Sequence, residues 1–282
     1  MEQDYLIAGH RIRIQGKDLL EALAPLPAFI PFRTSDGGTP VGEFIVSSED
    51  GPTMTNRLYC VEVYGTFWRF GRYADGYAFE IESPAGELLR LWTIDNRIYL
   101  SGVLQERLLH FACWMGFGLL VAERQTMSVH TSAIVYRDNA VLFLGESGTG
   151  KSTHTRLWRE NIEGAFLLND DSPFVRIVNG KPYVYGSPWS GKTPCYRNEC
   201  YPIAACVRLS QAPYNKIERL PILQAYAALH PSCPPAFAYD ESLYDVISQI
   251  LDNMLSQVPV FHLNCLPNAE AARLSCKTIF GV

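Results

Sequence analysis

The first hundred residues alternate between apolar and polar positions, a pattern that predicts β-strands. Alternation is clearest over residues 59–63, 77–81 and 89–91, and turn sequences such as Asp75-Gly76 separate these stretches. Short strands spaced this closely predict an antiparallel meander. We therefore expect residues 1–102 to form a β-rich N-terminal domain, smaller than the rest of the chain.

Aromatic residues are frequent in these predicted strands, among them Phe70, Phe79 and Trp92. Because aromatic side chains favour half-buried sheets, we expect them to pack against one face of the meander. The alternative is that they line a surface that binds a peptide or another ligand. The N-terminal domain would then help to present a substrate.

The pattern changes after residue 103, where apolar strands and helical spacing alternate. Positions 108–122 are almost continuously apolar, but this stretch is too short to cross a membrane and includes His110, so it predicts a buried helix. Helical spacing predicts helices over 104–124, 221–230, 240–257 and 269–280. We therefore expect residues 103–282 to form an α/β (α+β) domain.

Two tight turns predict hairpins in this second domain. Arg137-Asp138-Asn139 follows the strand predicted over 127–136 and leads directly into the next strand, so the two are expected to be antiparallel neighbours. Asn179-Gly180 lies between two further apolar stretches and is the strongest hairpin signal in the chain.

A glycine-rich sequence follows the apolar strand at 141–144 and fits the phosphate-binding pattern G-x-x-x-x-G-K-[ST]. Glycines let backbone N–H groups turn inward around phosphate oxygens, and the following helix presents the positive end of its dipole. Lys151 supplies a charge for the outer phosphates, and the Ser152 hydroxyl is a ligand for Mg²⁺. The residues predicted to bind the nucleotide are Gly145, Glu146, Ser147, Gly148, Thr149, Gly150, Lys151, Ser152 and Thr153. The simpler interpretation is a glycine turn between a strand and a helix.

Two further polar segments belong to the candidate site. Asn169-Asp170-Asp171 ends an apolar strand, which is where the metal-binding carboxylate of phosphate-binding folds lies. The loop 186–192 offers backbone N–H groups at two glycines, the Ser190 hydroxyl and the Lys192 ammonium as contacts for an anion. The same loop also fits a plain surface turn.

Composition narrows the classes of function. Hydrophobic residues make up 48% of the 282 residues and charged residues 19%, which is enough for a full core. The net charge of −5 gives no reason to expect nucleic acid as a partner, and the N-terminal sequence does not have the pattern of a signal peptide. The eight cysteines lack metal-binding spacing and are typical of reduced thiols, so we expect a cytoplasmic protein without a membrane partner.

The candidate site residues occur in an order that resembles the HPr kinase/phosphorylase family. His130 lies fifteen residues before Gly145, and Asp170-Asp171 comes about twenty residues after the lysine of the glycine-rich sequence. The Pro-Trp-Ser-Gly-Lys loop at 188–192 is similar to a motif of the shorter HPr-kinase-like proteins in that family. The resemblance covers residues 104–280 and does not extend to the N-terminal domain.

The resemblance implies a phosphoenolpyruvate-carboxykinase-like core, a mixed sheet with helices and a P-loop. It also implies that a phosphoryl group passes from ATP or another nucleoside triphosphate, or from pyrophosphate, to a hydroxyl. Lys151 would hold the β- and γ-phosphates, and Ser152 with Asp171 would hold Mg²⁺. Asp170 would accept the proton of the acceptor hydroxyl, with His130 hydrogen-bonded to it. Because adjacent residues of a strand point to opposite faces, the reverse assignment of the two carboxylates stays open.

Two differences from the family shape the predicted function. Asn169 stands where the family usually has a small residue, and neither the docking helix for HPr nor the signature for phosphorolysis is found, so we do not expect HPr as the substrate or phosphorylase activity. We predict a kinase, dependent on ATP and Mg²⁺, for a serine-like hydroxyl of a peptide, a protein or a small molecule. Lys192 and Arg197 are the candidates for steadying charge on the substrate. The alternatives are a nucleotide-binding regulatory module without turnover and a nucleoside triphosphate hydrolase.

Overall fold

The computed structural model describes residues 1–63, 65–74 and 76–282, so Asp75 of the predicted turn lies outside the described residues. The chain is a mixed α/β protein with two large mixed sheets. It divides into two compact units, Met1–Arg124 with Ala236–Tyr244, and Gln125–Pro235 with Asp245–Val282. The predicted domain boundary after residue 102 stays a prediction, and the compact units divide later in the chain because the helix that follows packs with the first unit.

The first unit contains nine strands and two α-helices among its described residues. They are β1 (Glu2–Ile7), β2 (His10–Gln15), α1 (Lys17–Leu23), β3 (Arg33–Thr34), β4 (Gly42–Val46), β5 (Asn56–Val63), β6 (Thr66–Tyr73), β7 (Gly76–Glu82), β8 (Leu88–Ile94), β9 (Arg97–Gly102) and α2 (Glu106–Val121). Short 3-10 helices lie at Pro27–Phe32, between α1 and β3, and at Ala122–Arg124, directly after α2.

The sheet of the first unit has the strand order β3-β1-β2-β4-β9-β8-β7-β6-β5. From β5 to β9 the strands form the predicted antiparallel meander. Strand β4, however, pairs in parallel with both β2 and β9, so the prediction of an antiparallel domain is wrong for this part. The chain leaves β2 through α1, a 3-10 helix and β3 before it returns as β4, and a connection of that length permits a parallel neighbour.

Helix α2 is the buried helix predicted from the apolar stretch, and it packs against β7, β8 and β9. The approach is close enough that a Cβ atom at Gly116 would lie 2.8 Å from the ring of Phe44. Phe70 and Phe79 are buried opposite each other on one face of the sheet, as predicted, but Trp92 lies on the other face, where its ring stacks on Tyr99, so the prediction of a single aromatic face is wrong for Trp92. None of the helices in the described part of the chain combines the length and apolarity needed to cross a membrane.

The second unit carries the glycine-rich sequence. Its elements are β10 (Thr126–Ser128), β11 (Thr131–Tyr136), β12 (Asn139–Leu144), α3 (Lys151–Asn161), β13 (Phe166–Asp171), β14 (Phe174–Val178), β15 (Lys181–Tyr185), β16 (Cys200–Gln211), β17 (Lys216–Arg219), α4 (Ile222–Leu229), α5 (Glu241–Gln257), β18 (Val260–Cys265) and α6 (Ala269–Phe280). Helix α5 begins within the Ala236–Tyr244 segment of the first unit.

The sheet of the second unit runs β10-β14-β15-β16-β12-β11-β13, with β18 beside β16 and β17 beside β18. Both predicted hairpins, β11–β12 and β14–β15, are present and antiparallel. Strand β12 therefore has antiparallel β11 on one side and parallel β16 on the other.

Helices α3 and α6 pack together against the sheet of the second unit. The fully buried Trp158 of α3 packs in this core, and its indole Nε1 donates to Ser275 Oγ of α6 at 2.9 Å. Helix α6 spans the residues predicted for it because Asn268 caps its first turn by accepting from the backbone N of Ala271. This packing fixes α3, and with it the loop that enters α3 from β12.

Candidate active site

The loop between β12 and α3 is a tight turn that only glycine permits at its first position. Gly145 has a φ of +150°, and a Cβ atom there would lie 2.5 Å from Thr149 Oγ1. Thr149 closes the turn by donating from its backbone N and its hydroxyl to Glu146 O, at 3.2 and 2.8 Å. The strand, loop and helix predicted from the glycine spacing are all present.

Lys151 is the first residue of α3, and its side chain folds back over the loop. The ammonium donates to Gly145 O at 2.7 Å and to Glu146 O at 3.3 Å, and it lies 2.9 Å from His130 Nε2. Burial lowers the pKa of Lys151, against the pull of the nearby carboxylates. A single positive charge is thus held at the inner end of the loop.

His130 lies between β10 and β11, where its backbone N donates to Ser232 O at 2.7 Å. Because the Lys151 ammonium can only donate, Nε2 of His130 accepts and the proton belongs on Nδ1, which lies 3.4 Å from Asp171 Oδ1. Burial and the neighbouring Lys151 charge lower the pKa of His130 below its ordinary value. The imidazole is therefore neutral near pH 7.

Asp170 is buried and satisfied by hydroxyl and backbone donors. The pairing of β11 with β13 puts Ser132 directly opposite Asp170. Oδ1 accepts from Ser132 Oγ at 2.7 Å and from Ser152 Oγ at 3.1 Å, and Oδ2 accepts from the backbone N of Thr193 at 3.2 Å. The side chain is thus directed toward the start of α3.

Asp171 has a different environment although it is the next residue. It lies opposite Thr131, its side chain is 41% exposed, its Oδ2 accepts from Ser172 Oγ at 2.9 Å, and its Oδ1 lies 3.4 Å from His130 Nδ1. The predicted pairings, His130 with Asp170 and Ser152 with Asp171, are therefore exchanged in the structure. The exchange follows from strand alternation, because the register of β11 on β13 turns Asp170 toward Ser152 and Asp171 toward the opposite face.

Asn169 anchors the loop that follows β15, a role that the sequence analysis missed. Its side chain is fully buried, and Nδ2 donates to Ser187 O at 3.3 Å and to Trp189 O at 3.2 Å. Oδ1 accepts from the backbone N of Ser172 at 3.1 Å. The sequence signal for this role was an Asn at a position where the apolar strand would otherwise have continued, because a buried amide needs hydrogen-bond partners.

The loop after Trp189 lies against the first carboxylate, so the backbone of Lys192 lies beside the candidate site, and its predicted role stays a prediction. Gly191 donates its backbone N to Asp170 O at 2.5 Å, and Thr193 donates to the Asp170 side chain. A Cβ atom at Gly191 would lie 2.7 Å from Asp170 O, so this close approach depends on glycine. Lys192 lies between these two contacts and is exposed.

Arg197 is not brought to this cluster. Its guanidinium lies 4.9 Å from the ring centroid of Phe166 and donates to Glu199 Oε1 at 3.2 Å. Phe166 begins β13, whereas the two carboxylates end it. The prediction that Arg197 steadies substrate charge therefore has no support from its position.

The oxygen donors at the start of α3 fit a magnesium ion. Ser152 Oγ and Asp170 Oδ1 are hard ligands that already lie 3.1 Å apart. Magnesium sites for phosphate substrates commonly use one or two carboxylates and complete their coordination with phosphate and water. No group of three or more His, Cys, Asp or Glu residues suited to a metal occurs in the described ranges.

The chain matches none of the known protein-family models, and no curated protein matches it at a significant level. The resemblance to HPr-kinase-like proteins therefore stays a prediction carried by the residues quoted above.

Proposed function

We propose that the protein is a kinase of the HPr-kinase-like type that transfers a phosphoryl group from Mg²⁺-bound ATP to a hydroxyl. The observation that carries this proposal is the convergence of Lys151, Ser152 and both carboxylates at the glycine-rich loop. Phosphoryl transfer requires positioning and charge stabilisation more than covalent help, and these groups supply both.

The geometry supports the reverse assignment of the two carboxylates. Ser152 and the buried Asp170 would hold Mg²⁺, which when bound would offset negative charge on the phosphates. Asp171 and His130 are both partly exposed and touch each other, so they can receive a proton from an acceptor that arrives from solvent. We assign Asp171 as the base and His130 as the group that orients it.

Lys151 connects the two halves of this proposed site. Its ammonium now contacts His130 Nε2 and two loop carbonyls, and phosphate oxygens are stronger acceptors for an ammonium than any of these. Arrival of the donor phosphates would draw Lys151 away from His130. The imidazole would then be free to support Asp171 when the acceptor enters.

The surroundings of β12 support a phosphoenolpyruvate-carboxykinase-like core. In an all-parallel nucleotide-binding sheet the strand before the loop has parallel neighbours on both sides, whereas β12 has antiparallel β11 on one side. This arrangement also explains how His130, directly before β11, comes close to the end of β13.

The test is transfer of labelled phosphate from ATP to serine- and threonine-containing peptides and to free serine, with Mg²⁺ present. Asp171→Asn should abolish transfer while Mg²⁺-dependent ATP binding persists, and Asp170→Asn should weaken that binding. Asp138→Asn, in the exposed turn between β11 and β12, is the matched control and should change neither.

Each alternative has its own outcome in this assay. Free phosphate without labelled acceptor would indicate a hydrolase, and tight ATP binding without either product would indicate a regulatory module. Unchanged transfer by Asp171→Asn would contradict the assignment of the base.

A further inference from the structure

Ser172 comes directly after the end of β13, and its hydroxyl lies against the proposed base. Its Oγ donates to Asp171 Oδ2 at 2.9 Å, whereas the other carboxylate oxygen, Oδ1, lies 3.4 Å from His130 Nδ1. Ser172 is half-buried, so its hydroxyl is not sealed inside the core. A serine hydroxyl is also the class of acceptor proposed above. The chain therefore holds a serine of its own at the base.

Two hydrogen bonds fix the backbone of Ser172 in this position. Its N donates to Asn169 Oδ1 at 3.1 Å, and its O accepts from Ser187 Oγ at 2.7 Å. Asn169 and Ser187 are both fully buried, so these contacts tie Ser172 to the core of the second unit. A hydroxyl that is already fixed beside a base avoids the entropic cost of an encounter between two molecules.

Three other serine hydroxyls near the site donate to groups other than the base. Ser132 Oγ and Ser152 Oγ both donate to Asp170, the proposed ligand of magnesium. Ser190 Oγ donates to a backbone carbonyl of its own loop at 2.8 Å. Loss of a proton to the base therefore favours Ser172 over these three.

A line of contacts connects Ser172 to the cation of the glycine-rich loop. The hydroxyl touches Asp171, this carboxylate faces His130 Nδ1, and His130 Nε2 lies 2.9 Å from the Lys151 ammonium. Lysines at this position of the loop reach the terminal phosphates of a bound nucleotide. The acceptor hydroxyl, the base and the phosphate-binding cation thus follow one another in the same site.

We infer that Ser172 is itself a phosphoryl acceptor, so that each chain phosphorylates its own Ser172 when Mg²⁺–ATP is bound. This inference rests on the proposed function, because it uses the same donor and the same base. Ser172 Oγ forms a bond to the γ-phosphorus, and the bond from that phosphorus to the oxygen that bridges it to the β-phosphate breaks. ADP leaves with the electron pair of the broken bond, and the hydroxyl proton passes to Asp171 Oδ2.

The experiment incubates the purified chain with Mg²⁺ and γ-labelled ATP without an added acceptor, and follows phosphorylation by mass spectrometry. The wild-type chain should gain a single phosphoryl group, mapped to Ser172. The rate constant should stay the same over about a tenfold range of protein concentration, because the step is intramolecular. Asp171→Asn should lower it at least about 100-fold. Ser172→Ala should lose the label, and Ser172→Thr, which keeps a hydroxyl, should carry it at the same position.

Ser256→Ala is the matched control, because Ser256 is an exposed serine of α5 in the same unit and its loss should leave the labelling as in the wild type. Label on Ser172→Thr shows that a change at this position leaves the chain folded. A parallel reaction contains a serine peptide as a second acceptor.

Three results would overturn the inference and leave the proposed kinase standing. They are label on the peptide with none on the chain, label on the chain that persists in Ser172→Ala, and a rate constant that rises with protein concentration. Absence of label from both the chain and the peptide would overturn the proposed function as well.

Discussion

Asn169→Ala tests whether the amide is what holds the 186–193 loop against the end of β13. The substitution removes hydrogen bonds to Ser187 O, Trp189 O and the backbone N of Ser172, all at a fully buried position. Each such bond contributes about 0.5–1.5 kcal/mol net. The expected loss in the free energy of unfolding is therefore about 3 kcal/mol.

Asn169→Asp separates hydrogen bonding from side-chain size. It keeps an acceptor for Ser172 N but replaces the two donated bonds with repulsion of carbonyl oxygens, and it adds a buried charge beside Asp170. We expect Asp to be more destabilising than Ala at this position. Asn253→Ala, on the exposed face of α5, removes one bond to Gln249 O and should change stability by less than about 0.5 kcal/mol.

The assay combines urea unfolding with amide hydrogen exchange of the loop. Midpoint shifts at constant slope give the change in stability, and exchange at Gly191 and Thr193 reports whether their backbone bonds to Asp170 have opened. A loss below about 1 kcal/mol with unchanged exchange would refute the anchoring role, as would an Asp variant more stable than the Ala variant.

Three further predictions concern groups outside the carboxylate pair. Burial lowers the pKa of His154 to about 4, so the unfolded chain binds more protons than the folded chain below pH 6.5. The free energy of unfolding should therefore fall by about 3 kcal/mol between pH 6.5 and 4. Unfolding of the His154→Gln variant, measured at a series of pH values, should lack this loss. Arg72→Ala leaves the 4% exposed Asp240 without its guanidinium partner at 2.5 Å and should cost about 3 kcal/mol in thermal unfolding, whereas Arg97→Ala, whose partner is more exposed, should cost under about 1 kcal/mol. The exposed Cys60 and Cys200 should react rapidly with a thiol reagent. Burial raises the pKa of the Cys206 thiol to about 12, so this thiol should react only after unfolding, and rapid labelling of Cys206 would contradict its burial.

Local signals in the sequence predicted the elements of the site well. Glycine spacing predicted the strand, loop and helix around Gly145, and turn residues predicted the β11–β12 hairpin, because backbone conformation at these positions depends on few neighbours. The same reasoning missed β17 and the parallel position of β4. Short strands of this kind form only when distant segments meet, and no local pattern records which strand will be the neighbour.

The partner of His130 was unpredictable for a related reason. Whether His130 meets the first or the second carboxylate depends on the register of β11 against β13, and a shift of one residue would exchange the faces. The register shifts between Ala133 and Ile134, which pair with Asn169 and Leu167, so Leu168 has no partner in β11 and the position of Asp170 opposite Ser132 depends on this irregularity. Both pairings of His130, with Asp170 and with Asp171, are compatible with the sequence, and the packing of β11 against β13 decides which one forms.

The environments of the two carboxylates bear on the proposed chemistry more than their order in the chain does. A metal ligand benefits from being buried and held by hydrogen-bond donors, because a fixed oxygen loses little conformational freedom when the ion binds. The Asp170 carboxylate, which accepts from three donors, fits this description. A base must reach an acceptor and exchange its proton with solvent, which burial would prevent; Asp171, at 41% exposure beside a neutral imidazole, satisfies that condition. Exchanging the roles would require the buried carboxylate to meet the substrate and the exposed one to cross the strand to Ser152. Asp170 is only 4% exposed and accepts from Ser132, Ser152 and Thr193, so its side chain would have to lose these hydrogen bonds to reach an acceptor.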